Sequence, residues 1–181
     1  MRTIVVYESM FGNTRQIADA IAEGLAGAAE VTVVNVSLVK SEDLEAADLV
    51  LVGGPTHVHG MSRASTRAEA EKWTHDPAKK LSLESGAPGR GIREWLDDDA
   101  TVPKNFAAFA TRVDWPIIVS GNAAAQIDRE FDRRGSHRLM TAENFVVTKD
   151  SELGDGEIDR AKAWGTEVGK ALTAASSQGS H

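Results

Sequence analysis

The chain has 181 residues, 41% hydrophobic and 26% charged, the make-up of a globular domain with a full core. Its net charge of −7, from 27 acidic and 20 basic residues, argues against nucleic-acid binding, which shows as a basic stripe. With no cysteine, disulfides, thiolate catalysis, Cys-ligated zinc and iron–sulfur clusters are excluded, and no apolar run reaches the roughly 20 residues that cross a bilayer.

The first residues open on a strand pattern with no leader-like charged and apolar regions, so a cytoplasmic setting and no membrane insertion are expected. The acidity serves either simple solubility or long-range steering of a basic partner. Ile4-Val5-Val6-Tyr7 predicts the first strand. A polar turn, Glu8 to Thr14, follows. Ile17, Ala18, Ile21, Ala22 and Leu25 then recur three and four apart, on one face of a helix. Val31 to Val36 reads as a short, buried second strand, and Ser41 as the cap of a brief helix with Glu42 and Asp43 in its first turn. Asp48 to Gly54 reads as a third strand, and Gly54 to Met61 as a loop at its carboxyl end. Gly53, Gly54 and Gly60, before and within that loop, allow close backbone approach.

From Ser62 to Gly91 the pattern weakens. Ser65 to Thr74 predicts a polar helix carrying Ala68, Ala70 and Trp73. Lys79 to Gly91 is a loop, either a lid over residues 54–61 or disordered decoration. Gly91 to Leu96 predicts a helix ended by Asp97-Asp98-Asp99, a solvated turn or a partner-facing patch. Asn105 to Ala110 is a fourth strand. Ile117 to Val119 is too short to assign. Ser120-Gly121-Asn122 starts a helix that runs to Arg134 and stops at Gly135. Arg138 to Met140 and Asn144 to Thr148 form a fifth strand, interrupted or bulged. The last helix runs from about Gly156 to Thr173, with Ile158, Ala161, Trp164 (or Ala163), Val168 and Leu172 inward. Residues 1–174 are expected to form one domain with 62–91 as an insertion or mobile loop, and 175–181 a disordered tail.

Apolar strands separated by helices predict an α/β fold: a single doubly wound five-stranded parallel sheet with helices on both faces. In such sheets ligands bind at the carboxyl ends of strands, near the switch in strand order. The Ser9–Thr14 turn sits there. Small and hydroxyl residues at a helix start leave backbone N–H groups free, and the helix dipole favours anions. No Lys or Arg lies between Tyr7 and Asn13, so a phosphate in this turn is held by amides and hydroxyls. The competing reading is an ordinary helix capped by Asn13 or Thr14. Neither the P-loop pattern nor G-x-G-x-x-G is present. His57 and His59 share a metal only with further ligands, which a zinc site needs, and no metal is expected.

Tyr7 to Thr14, YESMFGNT, resembles the phosphate loop of the flavodoxin family, a Thr/Ser-x-Thr/Ser-Gly-Asn-Thr turn after the first strand. Ser9, Gly12, Asn13 and Thr14 match, and Phe11 stands where many members have a small hydroxyl. The resemblance extends along nearly the whole chain and implies strand order 2-1-3-4-5. It also implies FMN, bound non-covalently. Ser9, Met10, Phe11, Gly12, Asn13 and Thr14 then take the phosphate. Pro55, Thr56, His57, Val58, His59 and Gly60 form the second flavin-contacting loop, with His57 or His59 in place of its usual aromatic residue. Thr111, Arg112, Val113, Asp114 and Trp115 form the third. Trp115 replaces the Tyr common there, unless it is a hydrophobic plug beside Pro116. Asp114 would disfavour an anionic reduced flavin. Arg112 would favour it, or pair with Asp114 and cancel the effect. The implied function is electron transfer to a redox partner protein or a small-molecule acceptor. The alternatives are an FMN-dependent NAD(P)H:quinone-type oxidoreductase and a flavin-free interaction module. A hydrolase built on Ser9 lacks an assignable His–acid pair.

Overall fold

The computed structural model describes residues 1–98, 101–116 and 121–178. Its strands are β1 (Arg2–Tyr7), β2 (Glu30–Asn35), β3 (Leu49–His57), the two-residue β4 (Gly60–Met61), β5 (Asn105–Val113), β6 (His137–Arg138) and β7 (Glu143–Val147). The main sheet runs β2-β1-β3-β5, with β6 and β7 both paired to β5, and every one of these pairings is parallel. β4 only folds back antiparallel on the end of β3. With that hairpin set aside and the interrupted last strand counted once, the order is the expected 2-1-3-4-5.

Alternation along the strands splits the core. Ile4, Val6, Val50, Val52, Phe106 and Ala108 face α2 (Ser41–Glu45), α4 (Ile92–Asp98) and α5 (Ala123–Arg133). Val5, Leu49, Leu51, Ala107 and Phe109 face α1 (Asn13–Leu25) and α6 (Glu157–Gln178). Each of these side chains is fully buried, worth about 1.5–3 kcal/mol for the larger ones. Helices on both faces make the sheet doubly wound. α3 (Ala64–Lys72), followed by a 3-10 turn at Trp73–His75, joins neither core.

Several expectations are corrected. β2 is an edge strand and is only half-buried. The loop at 54–61 is in fact the end of β3 and a tight hairpin. Gly53 and Gly54 are strand residues whose lack of a side chain makes room for Phe109 and Ile92 of the core, not for a ligand. In α3 the buried residues are Arg67 and Ala70, while Ala68 is exposed. The stretch after it does not cover residues 54–61. It lies on the turn after β1, where the Glu84 N–H donates to the Met10 carbonyl at 2.8 Å. Lys40, not Ser41, precedes α2 as its cap residue. Asp97 and Asp98 lie within α4, and Arg90 pairs with Asp98 at 3.0 Å. On α6, Ile158 and Ala163 are exposed and Gly165 and Gly169 take the inward places. The helix continues to Gln178 through part of the expected tail. Asp99, the 117–119 segment, Ser120 and the 179–181 tail lie outside the described residues.

Candidate functional site

Strand order reverses beside β1, and the chain leaving β1, β3 and β5 passes over the same end of the sheet. There the structure has a cavity of about 600 Å³, within the range of roughly 300–1,000 Å³ usual for cofactor sites. Of the residues singled out in sequence, Ser9, Met10, Phe11, Asn13 and Thr14 line it from the first turn. Pro55, Thr56, His57, Val58 and His59 line it from the hairpin, and Thr111, Arg112, Val113 and Trp115 from the end of β5. Gly12, Gly60 and Asp114 do not.

Gly12 shapes the site from behind. It is the cap residue of α1 at φ 90°, a left-handed conformation that glycine adopts without strain, and its N–H donates to Ser9 Oγ at 3.0 Å. No side chain caps α1, so the Asn or Thr cap is not found. Asn13 instead joins the first turn to the segment after β7, its Nδ2 donating to the Ser151 carbonyl at 2.7 Å. The hydroxyls of Thr14 and Thr111 are bonded to each other at 2.8 Å, both buried. One hydroxyl donates, so the other keeps its proton for a further acceptor. The Ser9 hydroxyl, accepting from Gly12, also keeps its proton. The cavity lining therefore offers two hydroxyl donors and an uncapped helix N-terminus, the donor set an anionic group requires.

The hairpin is held from α5. The Ala123 N–H donates to Thr56 Oγ1 at 3.2 Å, and the Met61 N–H to Gln126 Oε1 at 2.9 Å. A side chain on Gly60 would have to displace the Gln126 amide. At the tip, Val58 and His59 have φ of 39° and 75°. A β-branched residue in this region is strained, and this one is also 77% exposed. His57 Nδ1 lies 3.3 Å from Thr66 Oγ1 of α3. Burial, helped by the positive charge of Arg67, pushes its pKa down to about 4, so the imidazole is neutral at neutral pH.

Behind these turns lies a buried polar cluster. Glu8 accepts from the Ser62 hydroxyl and, at 2.9 Å, from the Ile92 N–H. Arg67, also buried, donates to Ser62 Oγ at 2.8 Å and pairs with Glu94 at 3.0 Å. Desolvation raises the Glu8 pKa despite these partners. The cluster ties the start of the first turn to the hairpin exit, α3 and α4.

Sequence reasoning missed two walls of the cavity. One is α3 with its 3-10 turn, which contributes Ser65, Thr66, Glu69, Ala70 and Trp73. Phe11 was its signal: a ring in place of a hydroxyl needs an apolar partner. Trp73 supplies it, stacked at 6.3 Å and 19°, with Lys79 4.4 Å from the Trp73 ring centre. The second wall is Val147, Lys149 and Ser151, which no local pattern marks. Trp115 is 56% exposed at the cavity rim and is not a plug. The Arg112 guanidinium donates to the Trp115 carbonyl, and Asp114 is exposed away from the cavity. Among the described residues no cluster of three or more His, Asp or Glu side chains is placed to hold a metal.

Comparison with solved structures returns the same architecture. A flavodoxin from the domain Archaea superposes with a TM-score of 0.62 at 20% identity, covering 96% of this chain and 99% of that one. Oxidised flavodoxin 1 from Bacillus cereus gives 0.63 at 17% identity, covering 94% and 98%. A flavodoxin, WrbA-like protein from Agrobacterium tumefaciens gives 0.56 at 19%, covering 96% and 98%. At these identities the likeness is one of fold. No curated protein sequence matches the chain. The family model for flavodoxin, however, matches residues 5–111, a span that includes the first turn, the hairpin and most of β5. That span exceeds half of the sequence, and the chain belongs to the flavodoxin family.

Proposed function

We propose that this chain binds FMN non-covalently and transfers electrons through it, as a carrier between redox partners. The observation that supports this most is the mixed lining of one cavity. It brings together Ser9, the Thr14–Thr111 pair and the start of α1. The same cavity is also lined by Met10, Pro55, Val58, Trp73 and Trp115. That pairing of an anion cradle with an apolar, aromatic slot suits a phosphorylated planar ring. When bound, FMN supplies the one- and two-electron chemistry; the chain supplies binding, orientation and electrostatics. Ser9, Thr14 and the first amides of α1 would hold the phosphate. Trp73 and Trp115 would exclude water from the ring, and neutral His57 would add no charge beside it.

A second reading, reduction of a small acceptor by NAD(P)H, is favoured by one feature: α3 and Trp73 extend the cavity beyond the three turns. The test is titration of the chain with FMN, followed by desalting and a visible spectrum. The expected result is a one-to-one endpoint with retained flavin bands. Reduction in two separated one-electron steps then supports the carrier, and direct reduction by NAD(P)H the enzyme. No retained flavin, with the fold intact by circular dichroism, overturns both in favour of an interaction module.

A further inference from the structure

The first turn carries no basic residue, yet the folded chain brings one to its side. The segment after β7 closes on itself: the Thr148 N–H donates to the Glu152 carbonyl at 2.7 Å and the Ser151 N–H to the Thr148 carbonyl at 3.1 Å. Asn13 pins this turn to the start of α1 by its bond to the Ser151 carbonyl. Lys149 lies inside the pinned turn and lines the cavity together with Asn13, Thr14 and Ser151. Its acidic neighbours, Asp150 and Glu152, do not line the cavity. Among the described residues Lys149 makes no ion pair. The other nearby cations are engaged elsewhere. Arg15 is outside the cavity, paired with Asp19 at 3.6 Å and Glu84 at 3.4 Å. Arg112 donates to the Trp115 carbonyl. Glu69 is the carboxylate among the lining residues, and it is paired with Lys72 at 2.8 Å.

We propose that Lys149 is the counter-charge for the phosphomonoester of the bound cofactor. The chain then reads the phosphate by charge as well as by amide and hydroxyl donors, and binding is salt-sensitive. The inference rests on the FMN reading above. An ammonium donor to a doubly charged phosphate is a charge-assisted bond, stronger than a neutral one. Its exposed position leaves it open to screening by salt.

The test compares FMN with riboflavin, which has the same ring and no phosphate, in the wild-type chain, Lys149→Gln and Lys149→Arg. At low salt, Lys149→Gln is expected to weaken FMN binding about 5- to 30-fold, leave riboflavin binding unchanged and flatten the dependence of FMN affinity on salt. Lys149→Arg should restore most of the loss. Equal FMN affinity in Lys149→Gln and wild type overturns the proposal. So does an equal loss for both flavins, which marks a structural role. A wild-type chain that binds neither flavin removes the FMN reading itself, and the proposal with it. Thermal unfolding of the flavin-free variants confirms that the exposed substitution leaves the fold in place.

Discussion

His57 links the cavity to pH. Its folded pKa of about 4 lies below the usual 6.5, so the unfolded chain binds the proton more readily. The stability linked to the neutral ring is fully present above pH 6.5 and is lost as pH falls through the window down to about 4. Between pH 7 and pH 5 this amounts to about 2 kcal/mol. Urea unfolding at the two pH values should show that loss in the wild-type chain and little of it in His57→Gln, relative to each protein at pH 7. Equal pH dependence in both would mean that the imidazole is not held neutral. The contributors to this behaviour were unequally legible. That His57 stands at the carboxyl end of a strand and borders the site was readable from the run Asp48–Gly54 and its glycines. That Arg67, a residue on a polar-looking helix, is buried close enough to act on it was not. A buried arginine looks like a surface one until its partners Ser62, Glu94 and the Pro88 carbonyl are placed around it.

Between elements, the backbones of α1 and α6 approach closely. A Cβ on Gly165 would run into the Ile21 carbonyl, and one on Gly24 into the Lys162 carbonyl. Small residues at this crossing let the two backbones meet, whereas the helix pattern had placed Ile158 on the buried side. The apolar count of α6 could not reveal that its inward face is partly glycine. Gly165→Ala is therefore expected to cost about 1–3 kcal/mol by overpacking. Gly27→Ala, where the new methyl meets nothing within 4 Å, should be close to neutral or slightly stabilising. Urea midpoints of the two variants check this pair, and equal midpoints would show that the crossing relaxes. The same scale explains the readable strands. β1, β3 and β5 are buried in unbroken runs, which short apolar stretches of sequence announce locally. The 62–91 stretch has no such run, since α3 buries an arginine and an alanine rather than an apolar stripe.

Over the whole molecule, the charge of −7 and the charge of the cavity have opposite signs. The cavity lining holds Arg112 and Lys149 against a Glu69 already paired to Lys72. The acidic exterior should steer a basic acceptor from a distance, where composition alone suffices for the argument. Chemically reduced, FMN-loaded protein is expected to react with a basic haem protein at a rate that falls about tenfold from 20 to 500 mM salt, while a neutral acceptor shows no such fall. A salt-independent rate with the basic acceptor would leave the acidity a matter of solubility. Strand order was legible from the alternation of strands and helices and from the family pattern. The local basicity was not, because the sheet order brings residues of the seventh strand's exit beside those of the first.

That last contact has a consequence for synthesis. Asn13 and Ser151 are 138 residues apart. A ribosome adding about 5–20 residues per second needs roughly 7–28 s to pass from one to the other. Through that interval α1 can form and begin to pack, but its open end faces no far wall. A nascent chain is thus unable to close the pocket until residues 149–151 have emerged, long after the first turn has left the ribosome.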